Sequence, residues 1–236
     1  MWFFPKRQAP MPKEDVESTD DAPGRNAIKR SAKFNKRHVV YLLCRDAIPG
    51  MVISAAINMA ISYVMYVEAN TQPAVYLFRL PKTLAGDAAV TILVHCVATW
   101  FLKFHLVHYD LQHGLVQPIE VVDDQPFTED VCWLMFLSTE KEATTEDVRM
   151  NSIKWVTRHA IRALAFALLF LLAFWPISLI PLIMVGDREG NDFMYHRMWT
   201  PQIFKTTLGG VLGFMTSPVL SMLWLMKYGW EANHKR

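Results

Sequence analysis

The sequence has little cysteine, no catalytic signature and, over four long stretches, almost no charge. Cys44, Cys96 and Cys132 are its only cysteines, and no CxxC pair is present. No Ser-His-Asp order, phosphate-binding loop or pair of catalytic carboxylates stands out, which weighs against an enzyme. The opening MWFFPKRQAPMPKEDVESTDDAPG has no continuous apolar core and no small-residue cleavage site, so no signal peptide is expected. Glu14, Asp15, Glu17, Asp20 and Asp21 argue against a mitochondrial presequence, which is poor in acids.

Where charge is missing, apolar residues fill the space. Mean hydropathy is only +0.15 and 19% of residues are charged, values that would suit soluble domains. The apolar residues, however, lie in blocks. A spanning helix needs about 20 mostly apolar residues to cross a hydrocarbon core ~30 Å thick. Ala47–Val67, Ala163–Gly186 and Thr206–Met226 carry no charge, and Leu84–Leu102 carries only Asp87 and His95. Four such stretches predict an all-α protein of four transmembrane helices arranged as two antiparallel hairpins, with spans near 47–67, 84–102, 163–186 and 206–226.

Lys and Arg set the expected orientation. Nineteen lie in the amino-terminal segment to Asp46, in the 103–162 loop and in the tail from Lys227, against five in the two short connections. The positive-inside rule then places both termini and the long loop in the cytoplasm. Cys44 and Cys132 would face that reducing compartment and Cys96 the bilayer, so no disulfide is expected. Spans of this length suit endomembranes, endoplasmic reticulum or Golgi, slightly better than the plasma membrane.

Residues 1–37 read as a disordered cytoplasmic tail ahead of a 38–230 membrane domain, with 231–236 as a second short tail. The first tail ends in Lys29, Arg30, Lys33, Lys36 and Arg37, a cluster suited to anionic lipid headgroups at about 1 kcal/mol per residue. Nucleic acid is not an expected partner. The long loop is acidic, yet contains VCWLMFL at 131–137, too apolar for water and too short to span. Docking as an interfacial or amphipathic segment would bury Trp133, Leu134 and Phe136; a partner is the alternative. The hairpins also share features: a gapless match of the second span to the fourth pairs Trp100 with Trp224 and Lys103 with Lys227.

Three spans carry a polar or small residue every fourth position, hence on one face. These are Gly50, Ser54, Asn58 and Ser62; Asp87, Thr91, His95 and Thr99; and Gly209, Gly213, Ser217 and Ser221. Lipid offers no hydrophobic drive for helix association, so small residues allow approach and polar ones bond across helices. In an antiparallel first hairpin, pairing Asn58 with His95 sets Ser62 against Thr91, Ser54 against Thr99 and Tyr66 against Asp87. Asp87 in a first helical turn would also suit the dipole, with Lys82, Arg79 or Tyr66 in reach. Ionisable groups inside a membrane raise the other reading, a proton or ion path. His105, His108, Asp110 and His113 form the one metal-like run, set against ordinary interfacial histidines. No metal or cofactor is expected, and haem lacks a second mid-membrane histidine.

IPGMVISAAINMAISY and LGGVLGFMTSPVLSMLWLMKYG, together with the charged amino terminus, two hairpins and acidic loop, resemble uncharacterised fungal multi-spanning proteins over about 38–230. That resemblance implies no known activity and assigns no residue a role. The leading functional expectation is a non-catalytic membrane module that assembles with a membrane-protein partner or a second copy. The alternatives are a small transporter or channel using Asp87, His95 and Asn58, with Pro49-Gly50, Pro176 and Pro181 breaking helices, and a histidine-metal membrane enzyme.

Overall fold

A computed structural model describes residues 33–66, 75–80, 83–119, 153–195 and 199–234. Four helices in it are long and apolar enough to cross a membrane: α1 (Lys36–Tyr66), α2 (Leu84–Gln112), α3 (Ile153–Val185) and α4 (Thr200–His234). Their surfaces invert the rule for water-soluble proteins. Between Ile48 and Tyr66 the only buried residues are Ser54, Asn58 and Ser62, whereas Val52, Ile53 and Val64 are more than half exposed. Such an outside matches hydrocarbon, and the polar stripe turns inward where other helices can satisfy it.

The helices extend past the expected spans because their ends are held by polar chemistry. Asn35 caps α1, its side chain accepting from the Lys36 N–H at 2.6 Å while its own N–H reaches His38 Nδ1 at 3.2 Å. Residues Tyr41–Ala47 of α1 wind as a π-helix, an i→i+5 turn often found at functional sites. Thr83 caps α2 by accepting from the Gly86 N–H. Beyond α2, Gly114 takes φ 66°, a left-handed geometry that glycine adopts without strain. The chain then turns back, and the Ile119 N–H donates to the Leu225 carbonyl of α4 at 3.2 Å. Gly229 admits this approach, since a Cβ there would run into the Ile119 backbone.

The helices run unbroken through Pro49, Pro176, Pro181 and Pro218, so the discontinuous helices expected at Pro49, Pro176 and Pro181 are absent among the described residues. Nor is the fold wholly helical. The two short connections meet in a three-stranded antiparallel sheet, ordered β1 (Val75–Tyr76), β3 (Asp192–Tyr195) and β2 (Asp187–Glu189). Gly190, at φ 63°, makes the tight β2–β3 turn. The Asp192 carboxylate accepts from the backbone of Phe78 and Arg79, and the Tyr195 hydroxyl donates to the Leu182 carbonyl at 2.9 Å. Asp192 and burial together push that phenol up to about 12.

Backbones pack closely in three pairs: α1 with α4, α2 with α3, and α2 with α4. The expected close hairpin of α1 and α2 is not among them. Aromatic residues knit α2, α3 and α4 at the end away from the sheet, where Trp100 meets Trp224 edge-on at 5.8 Å and both surround His159. Ile92, Cys96, Ala167 and Leu212 fill the middle. Trp133, Leu134 and Phe136 lie outside the described residues, as do Lys29 and Arg30; Lys33, Lys36 and Arg37 are exposed around the start of α1.

Candidate functional site

Between α1 and α2, with α4 behind them, lies a cavity of about 470 Å³. Both polar stripes open onto it: Gly50, Ser54 and Asn58 from α1, and Asp87, Thr91, His95, Thr99 and Lys103 from α2. Ser217 and Lys205 of α4 complete the polar lining, and Ile53, Ile57, Ile61, Val90 and Val94 supply apolar walls. A buried ion pair stands at each end. Lys103 Nζ meets Asp46 Oδ1 at 2.5 Å, and Lys205 Nζ meets Asp87 Oδ1 at 2.5 Å. The Tyr66 hydroxyl donates to the other Asp87 oxygen at 3.3 Å, in the register set out from the sequence.

The middle of the cavity differs from that register. Asn58 and His95 do not bond; His95 Nδ1 meets Ser54 Oγ at 3.2 Å, one helical turn away. Asn58 leans on Gly209 of α4, where a Cβ would strike its side chain, and donates to the Ser54 carbonyl at 2.9 Å. Ser62 turns back to the Met59 carbonyl instead of meeting Thr91. Thr99 stands 3.4 Å from His95 Nε2 and makes no pair with Ser54. The cause is steric. Glycines on α4 draw α1 toward that helix, and the longer side chains of α2 hold it across a gap.

Partner chemistry fixes the direction of the central hydrogen bonds. The Thr216 hydroxyl donates to the Leu212 carbonyl at 2.7 Å, so toward His95 Nε2, at 2.9 Å, it accepts. Nε2 therefore carries the proton and Nδ1 is the acceptor. Ser54 donates to Nδ1 and accepts from Asn58 Nδ2 at 3.4 Å. A one-way relay thus runs Asn58 to Ser54 to His95 to Thr216 across three helices.

Glycine accounts for the other face of α1. A Cβ on Gly213 would collide with the Gly50 backbone, and one on Gly50 with Ser217. Ser221 is fully buried on the same helix. The metal-like run disperses. Tyr41 and Arg45 hold Asp110, at 2.7 and 2.9 Å, and His108 meets Tyr228 at 3.1 Å. His113 stacks on Tyr109, His105 packs edge-on to Phe104, and no cluster of three metal-binding side chains occurs among the described residues.

Asp46, Lys205, Arg45, Tyr41 and Thr216 were not singled out from the sequence. Asp46 had a signal, since it continues the α1 stripe one step of four before Gly50. Lys205 had none, because its partner Asp87 is 118 residues away.

Comparison with known proteins agrees with the span sequences. Residues 133–225 match a family described as "Protein of unknown function (DUF2456)". An uncharacterized protein of Schizosaccharomyces pombe is 30% identical over 96% of this chain and 48% of its own length. The chain is similar to an uncharacterised fungal family. An uncharacterized protein of Saccharomyces cerevisiae is 23% identical over 77% of the chain and 75% of its own. The chain thus spans about half the length of the fission-yeast relative. No solved structure matches. The matched family segment contains α3 and most of α4, while the α1 and α2 walls of the cavity lie outside it.

Proposed function

We propose that this is a multi-pass integral membrane protein, with both termini cytoplasmic, that provides a polar path through the bilayer between α1 and α2. One observation carries the reading: two polar stripes line a single cavity bounded by an ion pair at each end. Residues placed only for helix packing would close on each other, as the Gly50 and Gly213 backbones do, and leave no such space. Intramembrane ionisable groups facing a cavity between helices mark ion or substrate pathways. The assembly reading rests on Trp133, Leu134 and Phe136, outside the described residues.

Cysteine accessibility tests the path. In a background lacking Cys44, Cys96 and Cys132, single cysteines at Ser54, Thr91 and Thr99 should react with a charged, membrane-impermeant thiol reagent. Cysteines at lipid-facing Val52 and Val64 should not. Equal protection of all five positions would sink the path. If polar replacements at Trp133, Leu134 and Phe136 released a bound protein from a chain so protected, the assembly reading would stand instead. Endomembrane residence is a further proposal from span length, checked by imaging a tagged chain.

A further inference from the structure

We infer that the species using this path is the proton, and that His95 is the residue that binds it in mid-membrane. The inference rests on the path reading and specifies its substrate.

Size comes first. From Asp87 to Lys103 the α2 stripe covers about 24 Å at 1.5 Å per residue, and the cavity of about 470 Å³ runs along it. A thread of water fits that space. Charge comes second. Each cavity carboxylate already has a lysine against it, Asp46 with Lys103 and Asp87 with Lys205, so no anionic site awaits a metal cation. Proton chemistry comes third. Aspartate, threonine, histidine, threonine and lysine stand in sequence along one face of α2, and His95 is midway between the ion pairs. Asp46 also keeps its second oxygen, Oδ2, buried and without a hydrogen-bond partner, an open acceptor at one mouth.

The relay direction shows how His95 would take the proton. Nδ1 is the free lone pair, covered only by the Ser54 hydroxyl. A proton arriving there from water at one mouth forms the imidazolium, and Ser54 turns from donating to accepting. Its loss to water at the other mouth restores both groups, so one proton enters and one leaves. Charged groups lining the cavity with His95 are Arg45 and Asp46 of α1, Asp87 and Lys103 of α2, and Lys205 of α4; α3 meets this level with Ala167 and Phe170. Asp46 and Asp87 offset Lys103 and Lys205, and Arg45 is paired with Asp110, so no excess charge bears on the imidazole.

The full chain in phosphatidylcholine vesicles holding a pH-sensitive dye, driven by a potassium gradient with valinomycin, provides the test. Lumenal pH should change faster than in protein-free vesicles. His95→Gln should slow it roughly a hundredfold, at the low end for loss of a positioned proton-transfer group. The pH dependence of the rate should disappear with it. Should that variant fail to fold, Ser54→Ala retains the imidazole and should slow the rate about fivefold, the worth of one hydrogen bond. No flux above bare lipid, or rates unchanged in the folded variants, would overturn the inference. If cysteine labelling still succeeded, the path would survive and another species, such as a single hydrocarbon chain, would use it. Failure of both would remove the path as well.

Discussion

Helix α1 faces two neighbours with one stripe and meets them in opposite ways. Toward α4 its Gly50 touches the backbone of Gly213, and Asn58 rests on Gly209. Toward α2 the same stripe looks into a cavity, reaching across it only through Ser54 to His95 and at the two ends. A four-residue polar period therefore identifies an inward face without saying whether that face is packed or open. The residue opposite decides. Glycine lets backbones close, while aspartate, histidine and lysine need partners and room.

The largest expected effect breaks the open side. Lys103→Met strands the Asp46 carboxylate, and loss of one member of a buried pair costs about 3–5 kcal/mol. Thermal unfolding in detergent should show it, and Asp46→Asn added to Lys103→Met should recover most of the loss. Recovery of nothing would mean the pair is not the source of that stability. Gly213→Val attacks the closed side and should cost about 1–3 kcal/mol or more by overpacking against Gly50. Enlarging lipid-facing Val211 to Ile should be nearly silent, and effects as large as at Gly213 would abolish the contrast between faces. Thr216→Val removes the acceptor for His95 Nε2 and should cost about 1 kcal/mol.

The smallest effect concerns the sheet that ties the two connections together. Tyr195 has its pKa raised from a usual value near 10 to about 12. Below pH 10 both folded and unfolded forms keep the phenol neutral, so its contribution is complete. Between 10 and 12 only the unfolded form ionises, and stability should fall. Tyr195→Phe should remove that residue's share of the alkaline fall, followed by tyrosinate absorbance.

Much of this was legible in the sequence for a physical reason. Hydrocarbon demands length and apolarity, and both are local properties, so four spanning-length helices could be read from runs of residues. The inward direction of Ser54, Asn58 and Ser62 was legible too, through periodicity. The pairing of α1 with α4 was not, because Gly213 and Gly50 lie far apart in sequence and nothing local says which inward faces meet. The same distance hid Lys205 from Asp87. The sheet escaped because β1 has only two residues and exists by pairing with Tyr195 and Met194.

The π-helical turn at Tyr41–Ala47 carries a last consequence, one of phase along the chain. Its wide turn lets neighbours Arg45 and Asp46 serve Asp110 and Lys103 of the same helix. Removing a single residue inside it would let the segment close into an ordinary α-helix with little rotation of what lies upstream, because the wide turn already absorbs one residue. His38 and Tyr41 would keep facing Gln117 and Asp110, and Gly50 to Tyr66 would keep their places. The wide turn thus acts as slack in the helix: it takes up one surplus residue, whereas an insertion or deletion elsewhere in α1 would turn the His38 end against the bundle by about 100° per residue.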